Sequence, residues 1–222
     1  MRKFLRICRS FGSLRFGVVL LFALFALVFW GTLFCARGGL ELGAERFFGS
    51  WFLFAGGFFP FPALKTIALL LFFNVLCACL FRIPHTWRHL GVLLMHVAVL
   101  VLIAGSFAAE KKRESFAAFG LVGTSIVLDS AQNVSFRIAS ADSSGCVLFS
   151  PLTEDSLRVS LNSPQKIGGY SLYFGERFSI SPDKEIVRLW VRRDPFSFVP
   201  YLFSALLLLG ILGHLAAKRK KR

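Results

Sequence analysis

The sequence predicts an integral membrane protein with four transmembrane α-helices and a small β-rich extracytoplasmic domain between helices 3 and 4. Three observations lead to this fold class. Hydrophobic residues make up 55% of the 222 residues. Four apolar runs approach the length of about 20 residues that a bilayer core requires. One long polar segment, residues 110–197, separates the third run from the fourth and alternates in polarity as β-strands do.

The first apolar run follows a basic tail, residues 1–15, and could be read as a signal peptide. It exceeds the ~7–15 apolar residues of a signal peptide, and no A-x-A-like cleavage site follows it. We therefore interpret it as a retained helix. The predicted spans are residues 16–36, 62–81, 90–109 and 198–217, and a second basic tail, residues 218–222, ends the sequence.

The segment between the first two spans, residues 37–61, is dense in aromatic side chains. Such a segment is typical of the membrane interface. Phe47, Phe48, Trp51 and Phe52 are spaced to share one face of a helix, so we predict an interfacial helix there, or a platform for a flat hydrophobic ligand or partner.

The distribution of charge predicts the orientation. The two tails and the 82–89 loop carry Lys and Arg without any acidic residue, and all 12 acidic residues lie elsewhere. The positive-inside rule then places both termini and this loop in the cytoplasm, and the β domain outside a bacterial inner membrane. The net charge of +14 serves orientation and attraction to anionic membrane lipid. Nucleic-acid binding is not predicted, because no binding fold accompanies the charge.

Four strand-like stretches separated by turn residues predict an antiparallel fold for residues 110–197. We expect this domain to dock a protein rather than perform chemistry. The stretches are VSFRI, LRVSL, YSLYF and IVRLWV.

Two histidines lie inside apolar spans: His96 in LGVLLMHVAVLVLIAGS and His214 in YLFSALLLLGILGHLAA. An ionisable group at that depth is costly and indicates function. At 1.5 Å per residue they lie roughly 10 Å and roughly 6 Å from the same face. We predict that they are metal and cofactor ligands for a haem held between helices, with Gly210 and Gly213 admitting a flat ring. The alternative is that each is an interhelical hydrogen bonder or reaches the interface.

The remaining polar and thiol groups give weaker signals. Asn74, in the middle of the second span, is predicted to make an interhelical hydrogen bond. Cys35 and Cys146 could form a disulfide in an oxidising compartment. No C-x-x-C pair, catalytic triad, paired carboxylates or phosphate loop is visible, so no catalytic residue is predicted.

Several motifs, taken in order, resemble the ResB (CcsB) family of system II cytochrome c biogenesis. The resemblance covers the whole chain and is most specific from Asn74 to His96. It implies that His96 is a haem ligand, and that the second ligand is His214 or comes from a ResC (CcsA)-type partner. The outer domain is shorter than in many relatives. The motifs are SLRFGVVLL, FFNVLCACLFRIPHTWRHLGVLLMHVAVLVLIAGS, GGYSLYFGERF and RRDPFSFVPYLFSALLLLG.

The sequence and the resemblance together predict a subunit of a haem-handling cytochrome c synthase complex. It would bind haem b in the membrane and assist its delivery and covalent attachment to apocytochrome c outside. As an enzyme it would be a non-autonomous part of a haem lyase. Two alternatives stay open: a stand-alone membrane b-type cytochrome that uses His96 and His214 as a closed pair, and a structural assembly factor that binds no haem.

Overall fold

The computed structural model describes residues 2–38, 43–55, 58–130, 133–181 and 184–219. The chain divides into two compact units. Met1–Ala108 together with Phe198–Arg222 form one, which we call the helical unit, and Ala109–Ser197 form the other, the β unit.

Five α-helices occur in the described residues. All but the first contain a stretch that is long and apolar enough to cross a membrane, as the four apolar runs predict. These helices indicate a membrane protein. The helices are α1 (Arg2–Phe11), α2 (Leu14–Gly38), α3 (Leu64–Phe81), α4 (Leu90–Lys112) and α5 (Val199–Arg219).

The N-terminal basic tail contains a helix that the apolar runs do not show. Helix α1 is separated from α2 by Gly12 and Ser13. The Ser13 hydroxyl accepts the backbone N–H of Phe16 at 3.2 Å, which caps the start of α2. Gly12 lies against α3 so closely that a Cβ there would stand 2.8 Å from the backbone nitrogen of Ala78. The chain therefore needs a glycine where it turns against α3.

The aromatic segment between α2 and α3 forms a short π-helical turn, Ala44–Gly49, followed by a hairpin of β1 (Phe52–Ala55) and β2 (Phe59–Pro62). The predicted helical face through Trp51 and Phe52 is wrong beyond residue 49. The sequences FLFA and FPFP favour extended backbone, because aromatic residues suit strands and proline interrupts a helix. The Trp51 ring stacks on Phe107 of α4 with centroids 6.0 Å apart.

The β unit contains two four-stranded antiparallel sheets, ordered β3-β10-β9-β8 and β4-β5-β6-β7. The four stretches predicted to be strands lie in β5, β7, β9 and β10, which confirms them. The strands are β3 (Glu114–Leu121), β4 (Ser125–Asp129), β5 (Val134–Ala141), β6 (Gly145–Ser150), β7 (Thr153–Ser160), β8 (Gln165–Ile167), β9 (Tyr170–Ser181) and β10 (Lys184–Arg193).

Both sheets contribute to one apolar core, in which Phe136, Leu148 and Leu189 are fully buried. The unit begins and ends on neighbouring strands, since Glu114 of β3 pairs with Arg193 of β10. Cys146 is a buried free thiol within this core.

Candidate cofactor cavity

His96 of α4 is held by its own helix. Its Nδ1 lies 2.8 Å from the carbonyl oxygen of Val92, one turn earlier. A carbonyl can only accept a hydrogen bond, so we assign the proton of the neutral ring to Nδ1, which donates it. The Nε2 lone pair is then available. A histidine oriented in this way by a backbone carbonyl is arranged as metal-binding histidines are.

A cavity of about 440 Å³ lies beside His96 within the helical unit. Its volume falls in the range of ligand pockets, and its walls are mostly apolar, as such pockets are. The first turns of α2, the second half of α3, one turn of α4 and Leu207 of α5 line it. Gly12, Gly17 and Ala78 form part of one wall, where both glycines lie close against α3: a Cβ at Gly17 would stand 2.9 Å from Oδ1 of Asn74. The residues therefore fit a largely apolar ligand that accepts one axial imidazole.

Asn74 lines this cavity, but its amide nitrogen is already occupied. It donates to the carbonyl oxygen of Phe11 at 2.5 Å and to that of Ser13 at 3.3 Å. These two carbonyls lie where α1 stops and α2 begins, so Asn74 satisfies backbone groups left open by the break. The predicted interhelical hydrogen bond is confirmed, and its role is structural.

Arg82 lies immediately after α3 and also lines the cavity. Its Nε donates to the carbonyl oxygen of Arg9 at 3.2 Å. Of the described residues that line the cavity, Arg82 is the one that carries a permanent charge. Nε2 of His96 and the terminal nitrogens of Arg82 are lining groups that retain capacity toward a ligand.

His214 occupies a different place. At the crossing of α4 and α5, a Cβ added to Gly91 would collide with the backbone of His214 and Gly210. The His214 Nδ1 is buried and has no hydrogen-bond partner in the part of the chain described. Among the described residues, those that line the cavity do not include His214; α5 contributes Leu207 instead.

The expected space for a flat ring at Gly210 is not there. A Cβ at Gly210 would stand 2.7 Å from the Cγ of Met95 and 2.9 Å from the carbonyl oxygen of Gly91, so α4 fills the space beside it. At Gly210, α5 packs closely on α4. The cavity is lined instead by the start of α2, by α3 and by the turn of α4 that carries His96.

The other two histidines, His85 and His89, precede α4 in the 82–89 loop. Both are exposed, and His89 Nδ1 is 2.8 Å from the Thr86 hydroxyl. Within the described ranges, no three His, Cys, Asp or Glu side chains come together as a metal-binding group. A bare metal ion needs several protein ligands, whereas haem iron carries most of its ligands with it. A single imidazole therefore suits haem iron better than it suits a bare ion.

A partly buried charged cluster of the β unit lies where its chain enters and leaves. Asp194 Oδ2 pairs with Arg192 at 2.8 Å and with Arg113 at 3.0 Å, and its Oδ1 accepts the Phe196 N–H at 3.1 Å. Burial alone would raise the pKa of Asp194, but these hydrogen bonds and charges outweigh it and lower the pKa. The cluster stabilises the Asp-Pro turn that follows β10.

The sequence singles out His96 and Asn74 inside their spans and counts Arg82 among the charges of the 82–89 loop, but it does not indicate that the three residues line one cavity. An arginine directly after an apolar span, near a histidine in the next span, was the signal that could have found it.

No protein-family model and no curated protein matches the chain. Among solved structures, the chain is similar to the cytochrome c haem lyase CcmF, with 18% sequence identity and a TM-score of 0.39. The match covers 91% of this chain and 35% of CcmF, so the chain spans about a third of that protein's length. The fold and cavity themselves define the class: a protein of membrane-length helices with a cofactor-sized apolar cavity and a separate β unit.

Proposed function

We propose that this chain is the haem-binding subunit of a membrane complex that matures c-type cytochromes, and that His96 ligates the iron of haem b through Nε2. The observation that carries the proposal is the hydrogen bond from His96 Nδ1 to the Val92 carbonyl beside a cavity of about 440 Å³. The cytochrome c part rests on the resemblance of the ordered motifs to the ResB (CcsB) family.

In this proposal, haem is the cargo that is later attached to apocytochrome c, and this chain's residues hold it. The Val92 carbonyl keeps the His96 ring in one tautomer and one orientation. The apolar walls, such as Leu71, Val75 and Val99, exclude water from the ligand. A ResC (CcsA)-type partner and apocytochrome c complete the reaction outside this chain, which makes it a non-autonomous part of a haem lyase.

The second axial ligand is His214 or a residue of the partner. The buried, unpartnered Nδ1 of His214 favours a function for that residue. Its backbone lies at the level of Gly91, five residues before His96, which is about 7.5 Å along α4. That offset favours a ligand from the partner. It also favours the complex subunit over a stand-alone b-type cytochrome, which needs both histidines on one iron.

The proposed orientation places both termini in the cytoplasm and the β unit outside the inner membrane. The support is the confinement of acidic residues to segments other than the tails and the 82–89 loop. A membrane-impermeant thiol reagent should reach a cysteine at Asp142 from outside the cell, and a cysteine at Arg219 only after the membrane is opened. Labelling of both sites in intact cells would contradict this orientation.

The haem proposal is tested by comparing His96→Ala with His89→Ala in the purified complex. His89 immediately precedes α4, is exposed and does not line the cavity, so it is the matched control. We expect at least a tenfold loss of bound haem, measured by absorbance, in His96→Ala alone, because the axial bond is removed outright. Added imidazole should restore part of the haem by filling the vacant position.

His214→Ala then separates the two ligand arrangements. A smaller loss than in His96→Ala indicates a ligand from the partner, and an equal loss indicates a closed pair within this chain. Unchanged haem content and cytochrome c maturation in His96→Ala would contradict both arrangements and leave a structural assembly factor as the better interpretation.

A further inference from the structure

Arg82 stands at the loop end of the cavity that His96 lines. It follows the last residue of α3, and the adjacent Ile83 also lines the cavity. His96 is six residues beyond Leu90, the first residue of α4, or about 9 Å further along the helix. The cavity thus has a charged group at the end of α3 and an imidazole about 9 Å along α4.

The guanidinium of Arg82 is held but not neutralised. Its Nε donates to the Arg9 carbonyl at 3.2 Å, which ties the guanidinium plane to α1. The two terminal nitrogens, Nη1 and Nη2, have no hydrogen-bond or ion-pair partner in the part of the chain described. They form the end of the fork that can take a carboxylate with two parallel hydrogen bonds.

Nothing among the described lining residues competes for this charge. None of them is Asp or Glu, and most of them are apolar. An arginine at the edge of an apolar cavity attracts a ligand whose body is apolar and whose edge is anionic. Lysine would supply the charge without the planar fork.

We infer that Arg82 binds a carboxylate of the cavity's ligand and so sets its orientation, with the acidic edge toward the 82–89 loop and the apolar body toward His96. This inference rests on the proposed function, because haem is the ligand that combines an apolar ring with carboxylates at one edge. It assigns Arg82 as a positioning and specificity residue, distinct from the iron ligand.

The test compares haem with its dimethyl ester, in which both carboxylates are blocked, on the purified full-length chain with its partner. The variants are Arg82→Gln, Arg82→Lys and the control Arg88→Gln, since Arg88 is exposed in the same loop and does not line the cavity. We expect Arg82→Gln to weaken haem about tenfold and the ester hardly at all, because a charge-assisted hydrogen bond to the carboxylate is lost.

Arg82→Lys should recover part of the affinity for haem, and Arg88→Gln should match the wild type with both ligands. The absorbance bands of the haem that remains bound should not move in Arg82→Gln, because the axial ligand is untouched. Equal weakening of haem and ester would mean that Arg82 acts through the fold, and it would overturn the inference.

The anion could instead be a lipid phosphate. Haem and ester are therefore also compared in phosphatidylcholine and in phosphatidylglycerol nanodiscs. We expect the preference for haem to persist in both; its loss in phosphatidylglycerol would assign Arg82 to lipid and overturn the inference.

The experiments distinguish failure of the iron ligand from failure of the carboxylate site. If His96→Ala leaves haem binding unchanged, the iron ligand is refuted. If His96→Ala reduces haem binding and Arg82→Gln does not, only the carboxylate site is refuted. Absence of haem binding in the wild type would refute both.

Discussion

The helical unit and the β unit place their polar side chains in opposite ways. In the helical unit, large apolar side chains such as Phe22 and Leu208 are exposed, while single polar groups such as Asn74 and His96 face inward. In the β unit, the core cluster contains no charged residue, and charges pair at the surface, as Arg177 does with Glu185 at 2.8 Å. The two patterns suit lipid and water respectively.

This difference decides where function can be inferred. In water, a surface charge is the default and carries little information. In lipid, every polar group must be satisfied inside the protein, so each inward polar residue needs a specific reason. Asn74 has a structural reason, in the backbone break that it bonds. His96 and Arg82 keep capacity toward a cavity, and function is proposed there.

The largest expected effect comes from removing the β unit. Replacement of residues 114–193 by a short Gly/Ser linker should abolish cytochrome c maturation and leave haem bound to the helical unit. A short linker suffices because Glu114 and Arg193 are direct neighbours on paired strands. Both properties are measured in the same membranes, by covalent haem staining and by absorbance. Full maturation, or loss of bound haem, would contradict a division of labour between the units.

The next effect is on the core of the β unit alone. Phe136→Ala removes a side chain that is 1% exposed and should lower the free energy of unfolding by about 3–5 kcal/mol. Phe149→Ala, in the paired strand but 47% exposed, is the control and should cost less than about 1 kcal/mol. Urea unfolding measures both, followed by the fluorescence of Trp190 in a chain whose other three tryptophans are replaced by Phe. A matching shift in haem absorbance would show that the units do not unfold independently.

In the helical unit, Asn74→Leu tests a single buried polar group. It leaves the carbonyls of Phe11 and Ser13 without their partner and should cost about 1–2 kcal/mol. Ser106→Ala is the control, because that hydroxyl bonds only the Leu102 carbonyl of its own helix. Thermal unfolding in detergent gives the stability, and protease cleavage near Gly12 should increase. Unchanged cleavage would mean that the break between α1 and α2 is held by other contacts.

The smallest effect depends on pH and concerns Cys146. Burial, and then the nearby Asp142 charge, raise the pKa of the Cys146 thiol to about 11. The unfolded thiol ionises near its ordinary pKa, so this contribution is complete below about pH 9 and is lost as the pH rises toward 11. At pH 10 the wild-type β unit should lose about 1 kcal/mol that Cys146→Ala keeps. Equal urea midpoints for the two proteins across this range would contradict a buried thiol.

Local sequence patterns determined the elements. An apolar run of about 20 residues has few folded alternatives in lipid, because a helix satisfies the hydrogen bonds of its own backbone. Four such helices occur among the described residues. Stretches of alternating polarity predicted strands, because alternate side chains of a strand face the core, and VSFRI does form part of β5. The helical face proposed for Trp51 and Phe52 failed because spacing alone does not distinguish a helix from a hairpin rich in aromatic residues and proline.

The candidate site could be predicted only in part. By itself, the sequence determined that the chain has membrane-length helices and a β unit between the last two. It also determined that the ionisable His96 lies inside an apolar span, where such a group indicates function. Only the tertiary structure decided that Arg82 joins His96 at one cavity while His214 lies at the Gly91 crossing. Depth along a helix follows from counting residues, but the face that a residue presents depends on how neighbouring helices pack, and small residues in several helices set that together.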